Sequence, residues 1–339
     1  MTYPYFGRGL TTAPGAIRAE DVPTLGRSRL DEPKAYIPHP DLAHAVNVAL
    51  ILGMPLLVTG EPGTGKTQLA TVVADSLSAP LFKFEVKSTS AARDLFYTYD
   101  AVTAFKMRDI EDQRQFIRYQ ALGRAILEAF PIEAVRHLLA SDERSGEVGH
   151  LGPRRAVVLI DEIDKAPRDF PNDLLNEVER LFFRVPELFN AATPGADQGT
   201  SGIEPRFRPI IIITSNSEKG LPDPFLRRCI YFDIPFPEHE QMSAIVAGRI
   251  AGLRSTDPLL DDALDLFYRL RHGGRETSLK KEPSTAELLN WLQVLMHRGA
   301  PPDRSLKEQR ELVAQTLSTL VKSSEDRREA ETFVRERWS

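Results

Sequence analysis

Five short apolar runs and several helical stripes divide the chain. Pro55-Leu56-Leu57-Val58-Thr59, Pro80–Val86, Arg155–Ile160, Arg208–Thr214 and Cys229–Ile234 read as strands. The third and fourth are apolar on both faces, as strands of a parallel sheet are. Leu42, Ala45, Val46 and Ala49 share one face of a helix over 39–53, closed by Gly53. Leu69, Val72, Val73 and Leu77 share one over Gln68–Leu77, and a helix over Phe170–Leu181 opens with Pro171. Residues 111–130 and 131–140 also read as helical. Phe96, Tyr97 and Tyr99 cluster in a hairpin or loop, and Ser141–Gly152 and residues 190–205 read as loops. After Pro235-Phe236-Pro237 only helices follow, at about 238–253, 259–271, 284–298, 305–322 and 324–337. Strands alternating with helices, then helices alone, predict an α/β parallel-sheet core over 30–237 and a smaller all-α domain over 238–339. Residues 1–29 read as an N-terminal extension that either docks through Tyr3, Tyr5 and Phe6 on the body or on a neighbouring subunit or is a flexible tail.

Between the first strand and its helix lies Gly60-Glu61-Pro62-Gly63-Thr64-Gly65-Lys66-Thr67, which fits G-x-x-x-x-G-K-[ST]. Glycines let backbone N–H groups approach phosphates, and the helix N-terminus favours negative charge there. With Gln68, these residues are the expected nucleotide-binding set. Lys66 reaches the β- and γ-phosphates, and the Thr67 hydroxyl binds Mg²⁺.

The third strand ends in Asp161-Glu162-Ile163-Asp164. A carboxylate at the end of a buried strand needs a cation partner. Asp161, with Thr67, is the expected Mg²⁺ holder, and Glu162 the base that polarises the attacking water. Asp164 supports these groups or is purely structural. Asn216 ends the fourth strand, where it either positions the water or caps the next turn. Arg227 and Arg228 precede the fifth strand. One of them reaches a neighbour's γ-phosphate, or the pair is salt-bridged on the surface.

Composition narrows the partners. The 339 residues are 42% apolar and 27% charged, as in a globular protein. A net charge of -5 gives no general pull toward nucleic acid, and no helix-turn-helix or zinc motif follows residue 237. Cys229 is the single cysteine, which excludes an intramolecular disulfide or thiolate zinc cluster and suits a reducing cytoplasm. The seven histidines are scattered. No apolar stretch is long enough to span a membrane, and Met1–Arg29 has no signal core. No N-K-x-D element for guanine is present.

In order, Gly60–Thr67, Val157–Glu162, Asn216 and Arg228 resemble the AAA+ ATPase module. From Ile160-Asp161-Glu162-Ile163-Asp164-Lys165-Ala166 through Leu221–Cys229 the chain looks like the MoxR branch, the likeness covering about residues 33–300. The resemblance implies a homo-oligomeric ring, usually a hexamer, with ATP between subunits. It also implies ATP-driven remodelling of a protein client, commonly with a partner carrying a von Willebrand factor A domain. By position, Asn216 matches the first sensor and Arg228 the arginine finger, with Arg227 the fallback. The alternatives are a DNA-acting loader or helicase, and an ATP-gated scaffold that hydrolyses weakly.

Two departures stand out. The family's second sensor is an arginine early in a lid helix, but Thr285 or Ala286 stands there, and Lys280 or Lys281 either substitutes for it or is a solvated loop lysine. The 95 positions from Lys66 to Asp161 exceed what the module needs, placing an insertion at about 96–150. Insertions there face the pore or the client in this branch, so Phe96, Tyr97, Tyr99 and Phe105 are either client contacts or plain packing. The 190–205 loop is a second candidate for client contact.

Overall fold

The structure is a computed structural model. It describes residues 36–107, 112–140, 152–181, 183, 185–188, 207–217, 220–272 and 279–336. The extension at 1–29, the loop at 190–205 and residues 141–151 lie outside these.

Helix α1 (Pro40–Leu52) starts where His39 Nδ1 accepts from the Asp41 N–H at 3.2 Å. The chain continues through β1 (Leu56–Gly60), α2 (Lys66–Ser76), β2 (Leu81–Glu85), β3 (Tyr97–Tyr99), α3 (Ala101–Lys106), β4 (Ile117–Tyr119), α4 (Ala121–Leu127) and α5 (Ile132–Val135). Then come β5 (Val157–Asp161), α6 (Phe170–Arg180), β6 (Ile210–Thr214), α7 (Asp223–Leu226) and β7 (Ile230–Ile234). Five strands form one sheet in the order β2-β5-β6-β1-β7, every pairing parallel.

The continuous apolar runs are now explained. Successive side chains of a strand point to opposite faces. Leu56, Val58, Val157, Leu159 and Ile212 pack on α1 and α2, while Leu57, Val158, Ile160, Ile211 and Ile213 join the core with α4 and α6. The register aligns Val58 with Thr214 and Ile160 with Ile213, so the carboxyl ends of β1, β5 and β6 come out side by side.

Several expectations are corrected. The helix read over 111–130 is a 3₁₀ turn (Gln113–Phe116), then β4, then α4. Antiparallel pairing of β4 with β3, Tyr97 opposite Tyr119, overrides the local helical pattern. Phe96 and Tyr97 are buried, and Phe96 stacks on Phe183 with ring centroids 5.2 Å apart. They are packing residues, not client contacts. Tyr99 is half-buried, its hydroxyl donating to Gln113 Oε1 at 2.8 Å, whereas Phe105 on α3 is 67% exposed. Leu77 is 48% exposed rather than on the buried face, because α2 ends at Ser76 and the chain turns at Ser78 with φ 49°.

Beyond β7 come α8 (His239–Arg249), α9 (Pro258–His272), α10 (Thr285–His297), α11 (Arg310–Thr316) and α12 (Ser324–Glu336). They enclose a second core that includes Phe267, Trp291, Leu292, Val313, Leu317 and Val334. The single helix read over 305–322 is broken into a 3₁₀ turn, α11 and a second 3₁₀ turn. At the break the Thr316 hydroxyl donates back to Leu312 O at 2.9 Å while accepting from Trp291 Nε1 at 2.9 Å. Such back-bonding bends helices. Among the described residues no helix is long and apolar enough to cross a membrane.

One contact gives a sign-reversed prediction. A Cβ on Gly123 of α4 would meet Phe96 O at 2.0 Å. Glycine to alanine inside a helix usually stabilises by about 1 kcal/mol. Here Gly123→Ala drives backbone into backbone and destabilises by about 3 kcal/mol, read as a lower urea midpoint. A midpoint at or above wild type would contradict this packing.

Candidate functional site

The loop from Gly60 to Lys66 is closed by its own lysine. Lys66 Nζ donates to Gly60 O at 2.7 Å and Glu61 O at 2.9 Å. Desolvation pulls its pKa below the usual 10.5, against the opposing pull of Asp164, Asp161, Asp233 and Glu162. Gly65 has φ 92°, and a Cβ there would meet Tyr36 Cε2 at 2.9 Å, so only glycine fits between that ring and the start of α2. Gly63 has φ 87° and abuts Ser284, just before α10.

The carboxylates lie opposite. The Thr67 hydroxyl is 3.1 Å from both Asp161 oxygens, and the Thr214 hydroxyl donates to Asp161 Oδ1 at 2.5 Å. The N–H of Glu162 donates to Thr214 Oγ1 at 2.9 Å. Glu162 sits at φ 60°, ψ 51°, a left-handed conformation uncommon for a residue with a side chain. Its carboxylate pairs with Lys165 Nζ. Asp164 accepts from the Ser215 hydroxyl, from the Asn216 N–H and from Asn216 Nδ2, each at 3.2 Å. It therefore orients the asparagine from below.

These groups line one cleft of about 520 Å³ between the sheet and the C-terminal helices. Pro62, Gly63, Gly65, Lys66, Thr67, Gln68, Asp161, Glu162, Thr214 and Asn216 come from one side, and Arg249, Ala286, Leu289 and Asn290 from the other. Arg249, the last residue of α8, donates through Nη2 to Gln68 Oε1 at 2.5 Å. Sequence reasoning missed it, since nothing in its local pattern separates it from other surface arginines. The substitutes Lys280 and Lys281 do not line the cleft. Lys280 Nζ pairs with Glu325 at 2.6 Å, and both side chains lie on the exposed loop before α10.

Gly60, Glu61 and Thr64 shape the loop without lining the cleft. Arg227 and Arg228 are exposed and outside it; Arg228 Nε lies 3.3 Å from Glu179 Oε1. The buried thiol of Cys229, next after Arg228, is pushed up to about 12 by desolvation. It stays protonated at neutral pH.

The Thr67 hydroxyl and Asp161 carboxylate put hard oxygen donors on one point beside the phosphate loop. That donor set fits Mg²⁺, which takes one or two protein oxygens and leaves the remaining positions to water and phosphate.

A parallel sheet in this order, with a glycine-rich loop leaving β1 toward the acidic end of β5, defines a P-loop nucleotide-binding protein of the AAA+ type. The chain belongs to the AAA domain family, dynein-related subfamily, whose model matches residues 55–229, over half of its length. Nucleotide binding follows from that membership. Among solved structures, it is similar to the Thermotoga maritima RuvB Holliday junction branch migration motor, at 14% identity over 87% of this chain and 74% of that one, with a TM-score of 0.44. Two variants of that motor match at 14% and 15% identity, over 86% and 85% of this chain and 72% of theirs, each with a TM-score of 0.45. A search of curated proteins finds no match.

A pH dependence follows from Lys66. A bound polyphosphate raises the lysine's pKa, so binding takes up a proton wherever the free protein's Lys66 is deprotonated. Affinity is then full below the free-state pKa and falls as pH rises through it, beginning below the usual 10.5. Calorimetric titration with a non-hydrolysable ATP analogue, from neutral to about pH 10, reads the decline. Lys66→Met removes it.

Proposed function

We propose that this chain is a MoxR-like ring ATPase that hydrolyses Mg-ATP to remodel a protein client. The observation that carries the reading is an incomplete site. Lys66, Asp161, Glu162 and Asn216 line one cleft, while Arg228 stands exposed outside it. An exposed arginine beside the sheet suits the γ-phosphate of a neighbouring subunit, giving a homo-oligomeric ring with nucleotide at each junction. The von Willebrand A-domain partner and the hexameric count come with the MoxR resemblance and are part of the proposal.

The roles follow from the chemistry. Backbone N–H groups of Gly63 to Thr67 and the Lys66 ammonium bind the phosphates. Thr67 and Asp161 would hold Mg²⁺, which would supply positive charge to offset that of the phosphates. Glu162 accepts the proton of the attacking water, and Asn216, held by Asp164, orients that water. The exposed pair of Glu162 with Lys165 competes with solvent and holds the base only loosely. Arg228 of the next subunit meets the charge that develops on the transferred group. Arg249 is the lid's cation in the cleft, the part that neither Thr285, Ala286 nor the two lysines takes.

Turnover per subunit, measured against protein concentration, tests the shared site; it rises as the ring assembles. Glu162→Gln keeps ATP binding and lowers turnover about 10²–10⁴-fold, and Arg228→Ala lowers it about 10³-fold or more. Mixing the two variants restores part of the rate, because some junctions regain both native residues. Full activity in Glu162→Gln, or a rate independent of concentration across assembly, sinks the reading. Separately, Arg249→Ala weakens ATP binding about 10–100-fold, the size of a lost charged hydrogen bond. Equilibrium titration with a fluorescent analogue checks it.

A further inference from the structure

Arg271, on α9, is buried at 4% side-chain exposure and is not part of the cleft wall. Its guanidinium joins three segments. Nη2 pairs with Glu61, the second residue of the phosphate loop, and lies 3.1 Å from Glu282 Oε2. Nη1 donates to Pro283 O at 2.9 Å. The guanidinium carbon sits 3.5 Å from the centroid of the Phe236 ring. Phe236 belongs to the Pro235-Phe236-Pro237 link between β7 and α8, and its ring stacks on Phe267 of α9 at 6.1 Å.

Three of these contacts lie within the helical domain or its link. Glu282, the Pro283 carbonyl and the Phe236 face would already hold the cation. The pair with Glu61 adds nothing to the helical core, since Glu61 is 51% exposed and lies in the other domain. It does add a crossing. The same stretch of chain that Arg271 anchors, Glu282 to Ala286, also rests against Gly63 of the loop. The loop that meets the phosphates is thus held on both sides of Pro62, at Glu61 by Arg271 and at Gly63 by the segment that opens α10.

We propose that Arg271 is a positioning residue that fastens the helical lid to the phosphate loop through Glu61. The lid then follows the loop by a protein–protein ion pair. It does so before any nucleotide arrives and without Arg249, the lid cation that lines the cleft. Pairing with both carboxylates requires the planar fork of arginine, which a lysine does not reproduce. The proposal rests on the nucleotide reading only in that the loop holds the ligand.

Its test needs no turnover. Spin labels on Ser76→Cys (α2) and Arg328→Cys (α12), both exposed, report the distance between core and lid. The native Cys229 is buried and its thiol is held protonated, so it does not take the label. Labelled protein is diluted into an unlabelled excess, so that pulsed dipolar spectroscopy reads distances within one chain. Without nucleotide, the wild-type distribution is expected to be narrow. Glu61→Gln should widen it about twofold, as a released hinge does. Glu282→Gln, which removes the carboxylate on the lid side of the same arginine, should leave the width unchanged. A wild-type width in Glu61→Gln overturns the proposal, as does equal widening by Glu282→Gln. Neither result depends on whether the protein hydrolyses ATP, so loss of activity in Glu162→Gln and loss of lid coupling remain separate findings.

Discussion

Parallel pairing in one register places the groups that the sheet brings to the cleft. β1 lies between β6 and β7, and β6 between β1 and β5. Their carboxyl ends emerge together, so the Asp161 carboxylate meets both the Thr67 hydroxyl, which follows β1, and the Thr214 hydroxyl, which ends β6. A slip of one residue in the pairing of β6 would turn the Thr214 hydroxyl to the other face and bring an apolar side chain to the cleft. The Ser215 N–H donates to Val58 O at 3.0 Å, so the pairing extends past the last assigned residue of β6. It extends as far as the residue before Asn216. The strained turn at Glu162 is tied by its N–H to the same Thr214.

Two cations near this frame are held in opposite ways, and the difference separates their roles. Lys66 is bound by two carbonyl oxygens and feels its carboxylates only through space. Its charge is desolvated but not cancelled, which leaves it available to a polyphosphate. Arg271 is bound by two carboxylates, a carbonyl and an aromatic face. Its charge is already spent inside the protein, so it serves geometry. Of these partners only the half-exposed Glu61 lies on the phosphate loop, so its pair with Arg271 is the contact that ties the loop to the helical domain.

Much of this was legible in the chain. The central strands β1, β5 and β6 announce themselves as runs of Val, Ile and Leu, because a strand covered on both faces cannot alternate with polar residues, whereas the edge strands β2 and β7 mix apolar and polar positions. The phosphate loop and the acidic end of β5 are short local patterns whose chemistry demands particular residues at particular spacings. The three-residue strands β3 and β4 were not legible. Each is too short to show a period, and the paired residues Thr98 and Arg118 stand 20 positions apart along the chain. The aromatic cluster at Phe96 and Tyr97 likewise gave no hint that Phe183 would cover it.

Sequence by itself determined the nucleotide loop, the acidic pair, the sheet-then-helices order and the breaks at Pro and Gly. Those properties reside in neighbouring residues and their backbone preferences. Only the tertiary structure decided which lid cations matter. Lys280 and Lys281 stand nearer in sequence to the expected position, yet the start of α12 draws Lys280 onto Glu325. Arg249 reaches the cleft from the end of α8, and Arg271 reaches Glu61 across 210 positions of chain. Such contacts are set by how two separately cored domains pack against each other. A charged side chain carries no local sign of which distant carboxylate it will meet.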